Sequence, residues 1–83
     1  MGIIFHPHAR ERMSERGATE QEVVATVEAG EMFPAKYGRK GFRRNFSFHG
    51  IWQGKKCSTK QVEALAVKKQ KDWVVVTVIT KYF

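Results

Sequence analysis

Trp73-Val74-Val75-Val76-Thr77-Val78-Ile79-Thr80-Lys81-Tyr82-Phe83 is the densest β-branched and aromatic run in the chain, with no Gly or Pro inside it. Side chains alternate along a strand. On regular alternation Trp73, Val75, Thr77 and Ile79 line one face, and Val74, Val76, Val78, Thr80 and Tyr82 the other. Both faces are apolar over the first six or seven positions, so both need cover. That pattern predicts a central strand rather than an edge. A short apolar run also fits a buried helix segment, but β-branched crowding favours the strand.

The rest of the chain has to supply that cover. It has 83 residues, the size of one domain spanning 1–83, and a small core is expected. Hydrophobic residues make up 42%, which excludes a disordered composition. Cys57 is the single cysteine, so no intramolecular disulfide can form and a reducing, cytoplasmic setting is expected. No apolar run approaches a membrane span, so no membrane partner is expected. The formal net charge of +7 points to a polyanion partner, RNA first and an acidic protein second. The charge is uneven: Glu11 to Glu31 is net acidic, with six Glu against two Arg, whereas Lys36 to Lys71 is strongly basic.

Gly2 to Phe5 is a short apolar entry suited to an edge strand or a packed terminus. His6-Pro7 signals a helix start, since Pro is tolerated at the first helical position. The helix runs from Pro7 to Arg16, carries Ala9 and Met13 as a narrow apolar stripe, and stops at Gly17. Thr19 with Glu22 forms a capping box. It opens a second helix, Glu20 to Ala29, with Val23, Val24 and Val27 on one face and Gly30 as its stop. Met32 to Lys36 reads as a strand that Pro34 confines to an edge or bulge. Tyr37-Gly38-Arg39-Lys40-Gly41 is a basic turn. Phe42 to His49 alternates as a half-buried strand, Gly50 to Lys60 reads as a basic loop or irregular hairpin, and Gln61 to Lys68 as a strand. Lys69 to Asp72 turns that strand back, antiparallel, into the last one. The expected fold is α+β: two N-terminal helices on one face of a three- to four-stranded, mainly antiparallel sheet with the C-terminal strand central.

Several short motifs recur in a recognisable order. His8-Ala9-Arg10-Glu11-Arg12-Met13 leads to Glu15-Arg16-Gly17 and then to Glu28-Ala29-Gly30-Glu31. Gly54-Lys55-Lys56, Lys60-Gln61-Val62-Glu63 and Val75-Val76-Thr77-Val78-Ile79-Thr80 follow. Across nearly its whole length the chain resembles a domain-of-unknown-function family of small bacterial and phage proteins, with an H-A-x-x-R-M signature. That family looks related to RelE-like and BrnT-like toxins of toxin–antitoxin systems, which are small metal-independent ribonucleases. The resemblance implies a RelE-like sheet with two N-terminal helices, RNA cleavage and an acidic antitoxin as partner.

Metal-free RNA cleavage needs a group to take the 2′-hydroxyl proton, charge stabilisation on the phosphate and a proton for the leaving oxygen. Histidine and arginine are the natural suppliers. His8 and Arg12 stand one helical turn apart and match the family's H-A-x-x-R positions. They read as proton carrier and phosphate clamp, or as residues packing the helix onto the sheet. Arg44 interrupts an apolar strand face and must pair with a carboxylate or reach a site. Tyr82 is a strand-end acid or stacking group, or a cover for the core edge. Arg43 and His49 share a polar strand face with Asn45 and Ser47 and are candidates for phosphate contact. Trp52 among Lys55, Lys56 and Lys60 is a candidate for base stacking with backbone contacts, or a cap under its loop. His6 reads as a helix-entry residue.

No four-ligand zinc pattern and no Gly-rich phosphate loop is present, so no metal and no cofactor is expected. The functional expectation is a toxin-like endoribonuclease using His8, Arg12, Arg44 and Tyr82. The alternative is a non-catalytic RNA- or protein-binding module on the same scaffold.

Overall fold

The computed structural model describes residues 2–83. The chain runs β1 (Ile3–Phe5), α1 (Pro7–Arg16), α2 (Glu20–Ala29), β2 (Glu31–Pro34), β3 (Lys40–Trp52), β4 (Lys55–Lys69) and β5 (Asp72–Tyr82). The strands form one sheet in the order β1-β5-β4-β3-β2. Three pairings are antiparallel, whereas β1 pairs parallel to β5. The class is α+β, but the sheet is mixed and has five strands, not three or four, because β1 adds a parallel edge. The middle strand is β4, not the C-terminal one. β5 is flanked by β1 only from Trp73 to Val75. Past that point its outer edge meets α1 instead, where the Arg16 guanidinium donates to the Val78 carbonyl at 2.6 Å. The apolarity of β5 therefore has a different cause from the one expected. One face is sealed by helices, and the other stays half-buried against its neighbour strand.

The helices form where their end signals place them. Pro7 opens α1 with His6 as N-cap, and Gly17 closes it in the left-handed region at φ 72°. The Thr19–Glu22 capping box is complete: each side chain bonds the other residue's backbone N–H. Gly30 ends α2 for a different reason. Its φ is −79°, so no left-handed turn is needed. A Cβ there would run into the Thr26 carbonyl and lie 2.7 Å from the Arg43 carbonyl. Glycine lets helix and strand backbones touch.

Ala9 and Met13 of α1, and Val23 and Val27 of α2, bury against Phe42, Val62, Ala64, Ala66, Val75 and Val78 in one core. Thr26, not Val24, completes the buried face of α2, its hydroxyl bonded back to the Glu22 carbonyl. Lys60 lies on this same side and is 94% buried, as its relative exposure of 6% shows. Its ammonium bonds the Gly17 carbonyl and meets Glu22 at 2.7 Å, tying both helices to β4. Burial alone would raise the Glu22 carboxyl. Its bonds from Lys60 and Thr19 outweigh that and hold it below the usual carboxylate range.

Strict alternation along β5 fails at one place. Ala66 pairs with Val75, yet Leu65 pairs with Thr77, so Val76 is an extra residue, a β-bulge. Trp73 and Val75 thereby share the helix-side face with Val78, Thr80 and Tyr82, not with Thr77 and Ile79. The open face carries Thr77 and Ile79 beside Leu65 and Glu63. Across β3, Arg43 stands 3.6 Å from Glu31 and 3.8 Å from Glu63 and lies over Phe33. No helix among the described residues is long and apolar enough to cross a membrane.

Candidate active site

His6 is held from four directions. Its N–H donates to the Val75 carbonyl at 2.9 Å, and its carbonyl accepts from Ala9 and Arg10. Its Nδ1 accepts from the His8 N–H at 3.1 Å. The residue thus joins the end of β1 to the start of α1, beside the bulge in β5. An Nδ1 that accepts leaves the neutral ring with its proton on Nε2. His8 follows at the second helical position with its ring exposed. No hydrogen bond holds that ring among the described residues.

A guanidinium joins the two imidazoles from across the sheet. Lys36 to Arg39 form a tight turn, with Arg39 donating to the Lys36 carbonyl at 3.3 Å. Both central residues have positive φ, Tyr37 at 61° and Gly38 at 71°, the signature of a type I′ turn. The turn delivers Arg39 over the open face toward β5. His6, His8, Arg39, Val76 and Thr77 together line a cleft of about 340 Å³. Two imidazoles, a guanidinium and a hydroxyl face the same space, with no carboxylate among these lining residues. The bulge at Val76 sets the β5 side of that wall, in keeping with the way bulges re-aim side chains beside functional sites.

The residues singled out from sequence are spread over the molecule. His8 lines the cleft. Arg12 sits one turn further along α1 and pairs with Glu15 at 2.6 Å. The hydrogen bond to Glu15, then its charge, raises the Arg12 pKa further. Arg44 lies on the helix side, over the Phe46 ring and 3.5 Å from the Ala25 carbonyl. Tyr82 is five residues past Thr77, on the order of 17 Å along the strand. Its hydroxyl donates to the Arg16 carbonyl at 2.6 Å, and its ring stacks on Trp52 at 4.3 Å and meets Phe48 edge-on. Trp52 is therefore a packed cap on the hairpin tip rather than an open platform, and Lys60 is spent on Gly17 and Glu22. Arg43 is held between two carboxylates. His49 is the extra residue of a second irregularity, at φ 49°, and lines a separate cleft with Lys56, Cys57, Ser58 and Phe83. Lys55 and Lys56 are exposed at the tip.

Sequence reasoning therefore missed Arg39 and Thr77 as site residues, and saw His6 only as a helix entry. His6 and His8 were visible as a pair. Arg39 was visible only as part of a basic turn, because the sheet order that brings it over β5 is not written in local sequence. No group of three or more His, Cys, Asp or Glu side chains is placed to hold a metal ion among the described residues.

Fold and cleft define a small α+β domain with a cationic, histidine-bearing site at the bulged edge of its sheet. The chain belongs to the family described as Domain of unknown function (DUF4258), which matches residues 5–80. His6, His8, Arg39 and Thr77 all fall within that span. No curated protein and no solved structure matches the chain.

Proposed function

We propose that the protein is a toxin-like, metal-independent endoribonuclease acting at the cleft of His6, His8 and Arg39. The observation that carries this reading is the convergence of two imidazoles and a guanidinium on one solvent-open cleft whose lining residues include no carboxylate. Such a set suits a phosphodiester anion and its proton traffic.

In this reading His8 takes the 2′-hydroxyl proton. The 2′ oxygen attacks phosphorus and the bond from phosphorus to the 5′ oxygen breaks. Charge gathering on the non-bridging oxygens meets Arg39 and the His6 Nε2–H. The 5′ oxygen takes a proton from water at the cleft mouth. The products are a 2′,3′-cyclic phosphate and a 5′-hydroxyl end. Thr77 orients the phosphate through its hydroxyl. An acidic antitoxin that covers the basic surface would silence the site, in keeping with the net charge of +7.

The test is incubation of the purified protein with total RNA in excess EDTA, beside His8→Ala and Arg39→Ala. Each variant is expected to lose roughly 100-fold or more in cleavage rate. An undiminished rate in His8→Ala would overturn the assignment. Binding without cleavage by the wild type would instead favour an RNA-binding module built on Lys55 and Lys56.

A further inference from the structure

Tyr37 is the most exposed large apolar side chain among the described residues, at 88%. Among the described residues its ring makes no aromatic or cation–π contact, although five other rings take a cation. Turn chemistry does not explain it either. The first central position of a type I′ turn favours Asn, Asp or Gly, and Tyr37 holds φ 61° there at some cost. A residue that costs local stability and leaves its ring exposed is a candidate for binding.

Its neighbours say what it would bind. Lys36, Arg39 and Lys40 surround it, with no acidic residue between Lys36 and Lys40. Arg39, two residues on, lines the histidine cleft. Two residues span at most about 7 Å of chain, so the Tyr37 backbone lies within that distance of the Arg39 backbone, although Tyr37 is not itself among the residues lining the cleft. A flat, unpartnered ring beside phosphate-binding cations suits an unstacked nucleobase next to a bound phosphate. A duplex keeps its bases stacked and offers no free face.

We propose that Tyr37 is the base-stacking platform that makes single-stranded RNA the substrate, with Arg39 holding the adjoining phosphate in the cleft. This rests on the ribonuclease reading above and names its substrate class. The tyrosine binds and positions; it takes no part in proton transfer.

The test uses the full chain and a single-stranded 2′-O-methyl RNA oligonucleotide, which binds but cannot be cut because its 2′ oxygen is blocked. Dissociation constants are measured at one fixed salt concentration for the wild type, Tyr37→Ala, Tyr37→Phe and Tyr37→Asn. Loss of one stacked base is expected to weaken binding by roughly 5- to 100-fold in Tyr37→Ala and Tyr37→Asn. Tyr37→Phe should stay within about twofold, because the ring face remains. Asn suits the turn better, so Tyr37→Asn should melt no lower than the wild type while binding RNA worse, which separates stacking from folding. A duplex of the same sequence should not distinguish wild type from Tyr37→Ala. Unchanged oligonucleotide binding in Tyr37→Ala overturns the stacking role, and leaves the ribonuclease reading standing if His8→Ala still abolishes cleavage. Equal loss on single strand and duplex also overturns it. A wild type that binds no RNA overturns both.

Discussion

Glu22 shows how much one carboxylate carries here. It completes the capping box of α2, and it also neutralises Lys60 inside the helix–sheet layer. Its pKa is lowered in the folded state from an ordinary value of 4.5. A lowered carboxylate pKa contributes stability that is present above the unfolded value and is lost as pH falls through the folded one. Glu22→Gln keeps the size and the cap acceptor but leaves the Lys60 ammonium without a counter-ion. It is expected to cost about 2–4 kcal/mol near neutral pH. The gap between variant and wild type should narrow as pH falls below about 4.5, as a pH series of chemical denaturation would show. A gap constant with pH would mean that the charge of Glu22 does not matter. From sequence Lys60 reads as a contact for RNA, because a lysine in a basic stretch looks solvated by default. Nothing local announces that Gly17 and Glu22 will close over it. Arg39 is the opposite case, an ordinary turn arginine that the fold brings to the histidines.

At the scale of elements, both helices were legible to the residue. His6-Pro7, Gly17, Thr19 with Glu22, and Gly30 are local signals, and local signals survive folding. Strands were legible as to existence but not extent. β3 and β4 run on to a Gln53-Gly54 turn, where Gly50, polar residues and lysines hid a paired hairpin behind a loop-like composition. The bulge at Val76 was invisible, because a run of valines fits either register. Order in the sheet was the largest loss: β1 inserts parallel to β5, and only three residues carry that pairing. Gly30 gives the sharpest test of how α2 meets β3. A Cβ there meets two backbone carbonyls, which cannot rotate away as a side chain could. Gly30→Ala should therefore destabilise by about 2 kcal/mol or more, despite alanine's better backbone entropy. A melting temperature equal to the wild type's would show that the two backbones are not in contact.

For the whole molecule, charge and shape act together. The basic excess seen in composition is real, but several cations are engaged by carboxylates: Arg10 with Glu20, Arg12 with Glu15, Arg43 with Glu31 and Glu63, Lys60 with Glu22. What composition could not show is which cations remain for a ligand. The turn carries Lys36, Arg39 and Lys40, and its Arg39 lines the histidine cleft. If those three meet phosphates, single-stranded RNA affinity should fall with a log–log salt slope of about −2, or roughly 16-fold between 50 and 200 mM salt. A salt-independent affinity measured by titration would contradict an electrostatic site. The helix-covered side supplies stability, and the open face with its bulged strand supplies the site.

The most direct measurement is cleavage of one defined single-stranded RNA in EDTA, with the ends of the products identified, and with a control strand lacking the 2′-hydroxyl at the cut position. The wild type is expected to give 2′,3′-cyclic phosphate and 5′-hydroxyl ends and no cutting at the control position, with almost no product from His8→Ala or Arg39→Ala. Intact RNA with the wild type, cutting of the control strand, or His8→Ala working at the wild-type rate would contradict this reading.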